Sequence, residues 1–353
     1  MTRKTAVILF NLGGPDSLSA VQPFLFNLFN DPAIIRLPNP FRWLLAKLIS
    51  TRRGPVAQEI YRKMGGRSPI LPQTEAQARA LEAALNQSGA GEDHRVFIAM
   101  RYWHPFADET AKAVKDWGAE RVVLLPLYPQ FSTTTTASSF GDWQRAADRV
   151  GLRVPVSSIG CYSDQPGFVA AQTALLKDAL PAAEAKGPVR ILFSAHGLPK
   201  KVVLDGDPYQ MQVERSVAAI RRALGRPELD IQICYQSRVG PLEWIGPATD
   251  AEIARAALER RAIVVVPVAF VSEHSETLVE LDIEYAELAQ HNGAAAYIRV
   301  PTVGVQRDFI DGLATLVRRA RFDAAGPRCG GETGLCDAAW RRCICRGGSK
   351  AAA

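Results

Sequence analysis

The chain of 353 residues lacks any run of roughly 18 uninterrupted apolar residues, the length a membrane-spanning helix needs, so none is expected. No secretory leader is expected either. Met1-Thr2-Arg3-Lys4 leads into a short apolar run that soon reaches Asn11 and Gly13-Gly14, which reads as a first strand. A cytoplasmic protein is therefore expected, and its six cysteines read as thiols or metal ligands rather than disulfides. No two cysteines stand in the C-x2-C spacing of the common zinc ribbons. Strong charge of one sign is also missing. The formal net charge is +6, and much of the excess lies near the C-terminus in Arg318, Arg319, Arg321, Arg328, Arg341, Arg342, Arg346 and Lys350. The body is close to neutral, so no nucleic-acid partner is expected.

What is present is an alternation of strand-like and helix-like runs. Thr5–Leu12, Val96–Met100, Arg121–Leu127, Arg190–Ser194, Asp230–Cys234 and Ala262–Val268 read as buried strands. Helical patterns lie between them, among them Thr74–Leu85, Phe106–Trp117, Gly167–Ala179, Met211–Leu224 and Asp250–Arg260. Such alternation predicts an α/β fold with parallel sheets and helices on both faces. The halves resemble each other: Leu9-Phe10-Asn11-Leu12-Gly13-Gly14-Pro15 is similar to Leu192-Phe193-Ser194-Ala195-His196-Gly197-Leu198-Pro199. Two Rossmann-like domains with a cleft between them are expected, over residues 1–160 and 161–322, with the chain crossing back near its C-terminus. Residues 26–60 form an apolar insertion with a basic end, from Phe41-Arg42-Trp43-Leu44 to Arg52-Arg53. It reads either as a core-packed helix or as an exposed lip for a greasy substrate or a membrane surface. Residues 323–353 form a tail rich in Gly, Arg and Cys.

Histidine is scarce, five in all, and two follow strand ends, where α/β sheets bind ligands. His196 stands in a tight loop shaped by Gly197 and Pro199, and a neutral imidazole there takes up protons near pH 7. His274 opens a ladder of carboxylates, because Glu276, Glu280 and Glu284 recur every four residues and share a helical face. A solvated acidic face is the usual account of such a run. Its start at a cleft rim suits passage of a divalent cation. Tyr128-Pro129-Gln130-Phe131-Ser132-Thr133-Thr134-Thr135-Thr136 reads as an anion cradle or a plain polar turn. Arg101 and Arg238 place guanidiniums beside aromatics at strand ends, which suits a flat anionic ligand. The tail cysteines Cys329, Cys336, Cys343 and Cys345 suit either zinc or an iron–sulfur cluster. Cys161 and Cys234 read as ordinary apolar thiols.

An ordered series of motifs across residues 5 to 320 resembles the ferrochelatase family. It comprises Asn11-Leu12-Gly13-Gly14-Pro15, Tyr61 with Gly65-Gly66-Arg67-Ser68-Pro69-Ile70, Met100-Arg101-Tyr102, Tyr128-Pro129-Gln130, Ser194 to Pro199, Gly206-Asp207-Pro208-Tyr209, Tyr235-Gln236-Ser237-Arg238-Val239-Gly240-Pro241 and Ser272-Glu273-His274-Ser275-Glu276-Thr277-Leu278. The resemblance implies a chelatase fold, and an enzyme that inserts Fe²⁺ into protoporphyrin IX to form haem. It implies His196 and Glu276 as catalytic residues. It also implies Glu280 and Glu284 as the rest of a metal-binding row on a widened helix. Arg52, Tyr61, Ser68, Arg101, Tyr128, Ser237, Trp244 and His274 are implied as porphyrin-binding, and residues 26–60 as the lip over the cleft. Relatives that carry a [2Fe–2S] cluster often use one remote cysteine in the Tyr-Pro-Gln loop, where this chain has Thr133. The four tail cysteines are therefore expected to hold the cluster unaided, with zinc as the alternative. Leu12, at a position where some relatives have methionine or tyrosine, cannot ligate iron. A homodimer and peripheral membrane contact through the lip follow from the same resemblance. The competing expectations are coproporphyrin as substrate, cobalt insertion into an early corrinoid precursor, a porphyrin carrier without catalysis, and a two-domain solute-binding protein.

Overall fold

The computed structural model describes residues 3–87, 92–238, 240–320, 322, 327–332, 334 and 336–346. Of the expected tail, residues 323–326, 333, 335 and 347–353 lie outside these, as do Val239, Arg321 and Lys350 of the motifs and basic residues named above.

Among the described residues, nine strands form two parallel sheets. The first is ordered β2-β1-β3-β4-β9, from β1 (Arg3–Asn11), β2 (Glu92–Met100), β3 (Arg121–Pro126), β4 (Val156–Cys161) and β9 (Arg328–Cys329). The second is ordered β6-β5-β7-β8, from β5 (Val189–His196), β6 (Asp230–Gln236), β7 (Ala262–Pro267) and β8 (Ala296–Arg299). Burial on both faces explains why the central strands read as unbroken apolar runs. On β1, Val7 and Leu9 face one core cluster while Ala6, Ile8 and Phe10 face another, where Phe10 meets Phe140 and Trp143 edge-on. On β7, Val264 and Val266 turn one way and Ile263 and Val265 the other.

One core cluster joins the two sheets. It runs from Val7, Leu9 and Leu125 of the first to Ile191, Phe193 and Val264 of the second. Helix Pro166–Glu184 supplies Phe168 and Leu176, and helix Arg307–Arg318 supplies Phe309 and Leu313. The latter helix packs against both Pro166–Glu184 and the helix Ile70–Asn86 that follows β1.

The insertion after β1 comprises helix Val21–Phe29 and one long helix, Phe41–Lys63, which continues through Pro55 and delivers Tyr61 in its last turn. Ala46 and Tyr61 turn inward, but Phe41, Trp43, Leu44, Leu48 and Val56 are all exposed. Among the described residues no helix is long and apolar enough to cross a membrane. The strands β4, β8 and β9 and the helix Thr136–Val150 extend the expected scheme.

Candidate functional site

Strand β5 carries His196 as its last residue, and its Nδ1 lies 2.8 Å from Glu276 Oε2. Glu276 is the first residue of a nine-residue π-helix, Glu276–Glu284. The carboxylate row thus stands on a wider turn, as the resemblance implied, a geometry that recurs at functional sites. His274 Nε2 lies 3.9 Å from the same Glu276 oxygen, and its ring meets Phe270 at 4.7 Å. One turn on, Glu280 accepts from Ser237 N at 2.8 Å, Ser237 Oγ at 2.5 Å, Gln236 Nε2 at 2.9 Å and Tyr285 OH at 3.0 Å. Ser237 holds a positive φ of 60°, which turns its amide and hydroxyl together toward Glu280. Glu284, at the outer end, is exposed.

The electrostatics follow from this packing. Burial works against the charged form of Glu276, but His196 and then His274 outweigh it and hold the carboxyl well below its ordinary range. For His196, burial favours the neutral ring while Glu276 favours the cation, and the net shift is upward. Glu280 moves upward, through burial first and then the nearby Glu276. The row therefore grades from an anion paired with a histidine to a carboxyl that holds its proton more readily.

The surrounding loops are tightly fixed. An added Cβ at Gly197 would come within 2.9 Å of Gln236 O and 3.2 Å of the Trp244 ring, so the residue after His196 packs there only as glycine. Tyr61 reaches the site from the long helix. Burial raises its hydroxyl to about 12, with Ser275 and Glu276 as its polar neighbours. Gln77 of helix Ile70–Asn86 donates to Val271 O and Gly304 O and accepts from Ser272 Oγ, and Gln73 accepts from Glu273 N. The first sheet's helix thus holds the loop that carries His274.

Other expected residues stand apart from this group. The guanidinium of Arg101 is engaged by Asp31 at 2.9 Å, Asp142 at 3.6 Å and Ser138 Oγ at 2.7 Å, with the buried Tyr128 hydroxyl nearby. Ser68 donates its amide to Pro15 O, which pins its loop to the one after β1. Arg52 is exposed on the long helix. In the hydroxyl-rich loop, Ser132 and Thr133 do not form an open anion cradle. Asp207 already accepts from Ser132 Oγ, Thr133 N and Thr133 Oγ1 at 2.7–3.0 Å, and from Tyr209 N at 3.0 Å. Replacing Asp207 with alanine strands these donors in a buried site. The expected cost is about 3 kcal/mol, read as a lowered midpoint of thermal unfolding; an unchanged midpoint would contradict this account of the loop.

The tail brings a correction. Cys161, at the end of β4, is not an isolated apolar thiol. Its Sγ lies 3.4 Å from Cys329 Sγ, and Cys345 also neighbours it. Cys345 neighbours Cys343, which in turn neighbours Cys336, and Gln212 Nε2 lies 3.2 Å from Cys336 Sγ. An added Cβ at Gly160 would stand 2.4 Å from Cys345 Sγ, so glycine admits the tail against the strand. Five thiols, Cys161, Cys329, Cys336, Cys343 and Cys345, thus gather in one place. Crowding spreads their affinities for protons: Cys343 is pulled down by Cys336 and Cys345, while the other four are pushed up. Among the described residues no three His, Cys, Asp or Glu side chains converge as a single metal centre would require.

Comparison with known proteins places the geometry in a family. The Ferrochelatase family profile matches residues 4–321, ending before the cysteine tail. A ferrochelatase of Caulobacter vibrioides is 53% identical over 351 residues, covering 99% of this chain and 100% of that protein. One of Wolbachia sp. subsp. Drosophila simulans is 52% identical over 313 residues, 89% of this chain and 98% of that protein. Among solved structures, SirB from Bacillus subtilis with Fe³⁺ superposes at a TM-score of 0.51 with 13% identity, covering 91% of this chain and all of that one. A multi-domain Deinococcus radiodurans protein with similarity to chelatases superposes at 0.51 with 14% identity, over 90% of this chain and 56% of that one. These structures support the two-sheet chelatase fold. The chain belongs to the ferrochelatase family.

Proposed function

We propose that this chain inserts Fe²⁺ into protoporphyrin IX at the His196–Glu276 pair. The observation that carries the reading is the 2.8 Å contact between a strand-end histidine and the first carboxylate of a widened acidic helix. The reaction removes two pyrrole N–H protons and places one Fe²⁺ in the ring, so charge balances with two protons released. Nδ1 of His196 is held by Glu276, which leaves Nε2 to accept a pyrrole proton. Glu276 stabilises the imidazolium that forms. Glu280 and Glu284 lead outward as a path for the incoming metal or the departing proton. Arg52, Ser68, Ser237 and Trp244 act at the porphyrin, with Tyr61 and His274 beside Glu276. Arg101 and Tyr128 shape the first sheet's rim from within. Distortion of the ring that exposes a nitrogen lone pair draws on binding energy along the apolar walls.

The pH dependence follows from the pair. Insertion requires neutral His196, so kcat/KM rises with pH through the pKa of that ring, which Glu276 raises. Replacing Glu276 with glutamine leaves burial, which lowers it, opposed only by the weaker pull of Glu280. The acid limb is expected to move to lower pH while the maximum falls. A limb that stays in place would remove His196 as the group responsible.

Five clustered thiols fit an iron–sulfur cluster in their donor chemistry. That donor set, together with the family resemblance, favours iron over zinc. We therefore read the tail as the site of a [2Fe–2S] cluster that supplies a structural or redox-responsive crosslink between β4 and the tail. The cysteine set now includes Cys161. Apart from Cys161 its thiols lie beyond residue 321, where the family match ends, and we read the cluster as standing outside the catalytic machinery.

The same reading divides the chain at residues 1–160, 161–322 and 323–353, in the cytoplasm. It includes a homodimer and lets the exposed lip rest on a membrane surface, where Phe41, Trp43 and Leu44 would enter the interface. Fe²⁺ and Zn²⁺ insertion, followed by absorbance with protoporphyrin as acceptor, tests the central assignment.

A further inference from the structure

A nine-residue π-helix is unusual, because such turns mostly occur as single bulges. The segment that carries the proposed metal-insertion residues must therefore be held open from outside. Strand β8 does this with two side chains. Arg299, whose side chain is 11% exposed, places Nη1 2.7 Å from Glu273 Oε1. Its Nε and Nη2 each lie 2.6 Å from the two oxygens of Asp282. One guanidinium thus grips the chain three residues before Glu276 and two residues after Glu280.

Tyr297 acts on the backbone. Tyr285 N donates to Glu280 O, a five-residue step, and an α-helix begins at Tyr285. Where a five-residue step gives way to a four-residue step, one carbonyl loses its helical donor. The next carbonyl in line is that of Leu281, and Tyr297 OH donates to it at 2.6 Å. Leu281 is itself buried, so water could not take that place.

The reference frame is shared. Strands β8 and β5 both flank β7, with Arg299 paired in register to Val265 and Phe193 to Val266. His196 and the clamp therefore stand on one rigid sheet, and the π-helix is fixed relative to the histidine that its first carboxylate must meet. An α-helical relaxation would rotate Glu280 about the axis relative to Glu276 and separate one of them from its partner.

We propose that Arg299 and Tyr297 are positioning residues for metal insertion, which hold Glu273–Glu284 in its widened form so that Glu276 meets His196 while Glu280 meets Ser237. This rests on the reading of that pair given above. The experiment is steady-state Zn²⁺ insertion into protoporphyrin by the full-length wild type, Tyr297→Phe, Arg299→Met and Arg299→Lys, with thermal unfolding as a folding control. Tyr297→Phe removes a single hydroxyl and keeps the fold even where Arg299→Met does not. The expected result is a fall in kcat and a rise in the Zn²⁺ KM, each of about tenfold, with the porphyrin KM unchanged, and partial recovery in Arg299→Lys. Folded variants whose Zn²⁺ KM matches wild type overturn the proposal. So does a fall in kcat that only tracks the folded fraction. A wild type that inserts no metal would instead overturn the reading of the site.

Discussion

Replacing His196 with alanine lowers turnover of Fe²⁺ insertion by about 10²–10⁴-fold, the usual contribution of a positioned acid–base group, and Glu276→Gln falls in the same range. The two effects are not additive, because Nδ1 of His196 and Oε2 of Glu276 form one unit at 2.8 Å. Once either member is missing, the other cannot do its part, so the double variant is barely slower than the worse single one. Porphyrin affinity stays near wild type in all three, since the apolar walls and outer polar groups are untouched. A porphyrin carrier predicts the opposite pattern, with near-normal behaviour in both variants. The assay is steady-state insertion with porphyrin binding measured by fluorescence quenching. Turnover within threefold of wild type in both variants would remove the pair from the mechanism.

The second large effect concerns Cys161. If the tail's own four cysteines formed a complete ligand set, Cys161→Ser would leave the cluster intact. The structure instead sets Cys161 among the tail thiols, 3.4 Å from Cys329 and beside Cys345. Anaerobically purified wild type is therefore expected to show the visible absorbance of a [2Fe–2S] centre, and Cys161→Ser to lose essentially all of it. Cys234→Ser is the control, because that thiol is buried in the second sheet's outer core. A Cys161→Ser protein with full absorbance would restore the tail-only set. Colourless wild type with one zinc per chain would exclude the cluster.

The contrast between Cys161 and His196 shows what sequence patterns carry. His196 is legible because its context is local: an apolar strand, then Gly197 and Pro199. Cys161 also ends a strand, but its meaning depends on thiols up to 184 positions away, and no local pattern encodes that encounter. The only nearby sign is Gly160, whose missing side chain makes room for Cys345. Thr133 illustrates the reverse. It occupies the remote-cysteine position of the family pattern, yet its hydroxyl and amide belong to Asp207.

The central strands β1, β3, β5 and β7 announce themselves because both faces are buried and the apolar runs are unbroken. Strand β4 carries Ser157 and Ser158 in its middle, and β8 is four half-buried residues, so neither shows a clear period. Missing β8 also hid Tyr297 and Arg299, and with them the support for the π-helix. The spacing of Glu276, Glu280 and Glu284 reveals a shared face but not its width, because four-residue repeats fit both an α-helix and its wider relative. The lip was open between core and surface on sequence alone. The exposure of Phe41, Trp43 and Leu44 supports the second.

The most direct test of the account is a panel of metals and porphyrins presented to the wild-type chain, with product read by absorbance under anaerobic conditions. The account predicts insertion of Fe²⁺, and of Zn²⁺ as a stable surrogate, into protoporphyrin IX with two protons released per metal. Protoporphyrin bound tightly with no metal inserted, or turnover confined to cobalt and a corrinoid precursor, would contradict it.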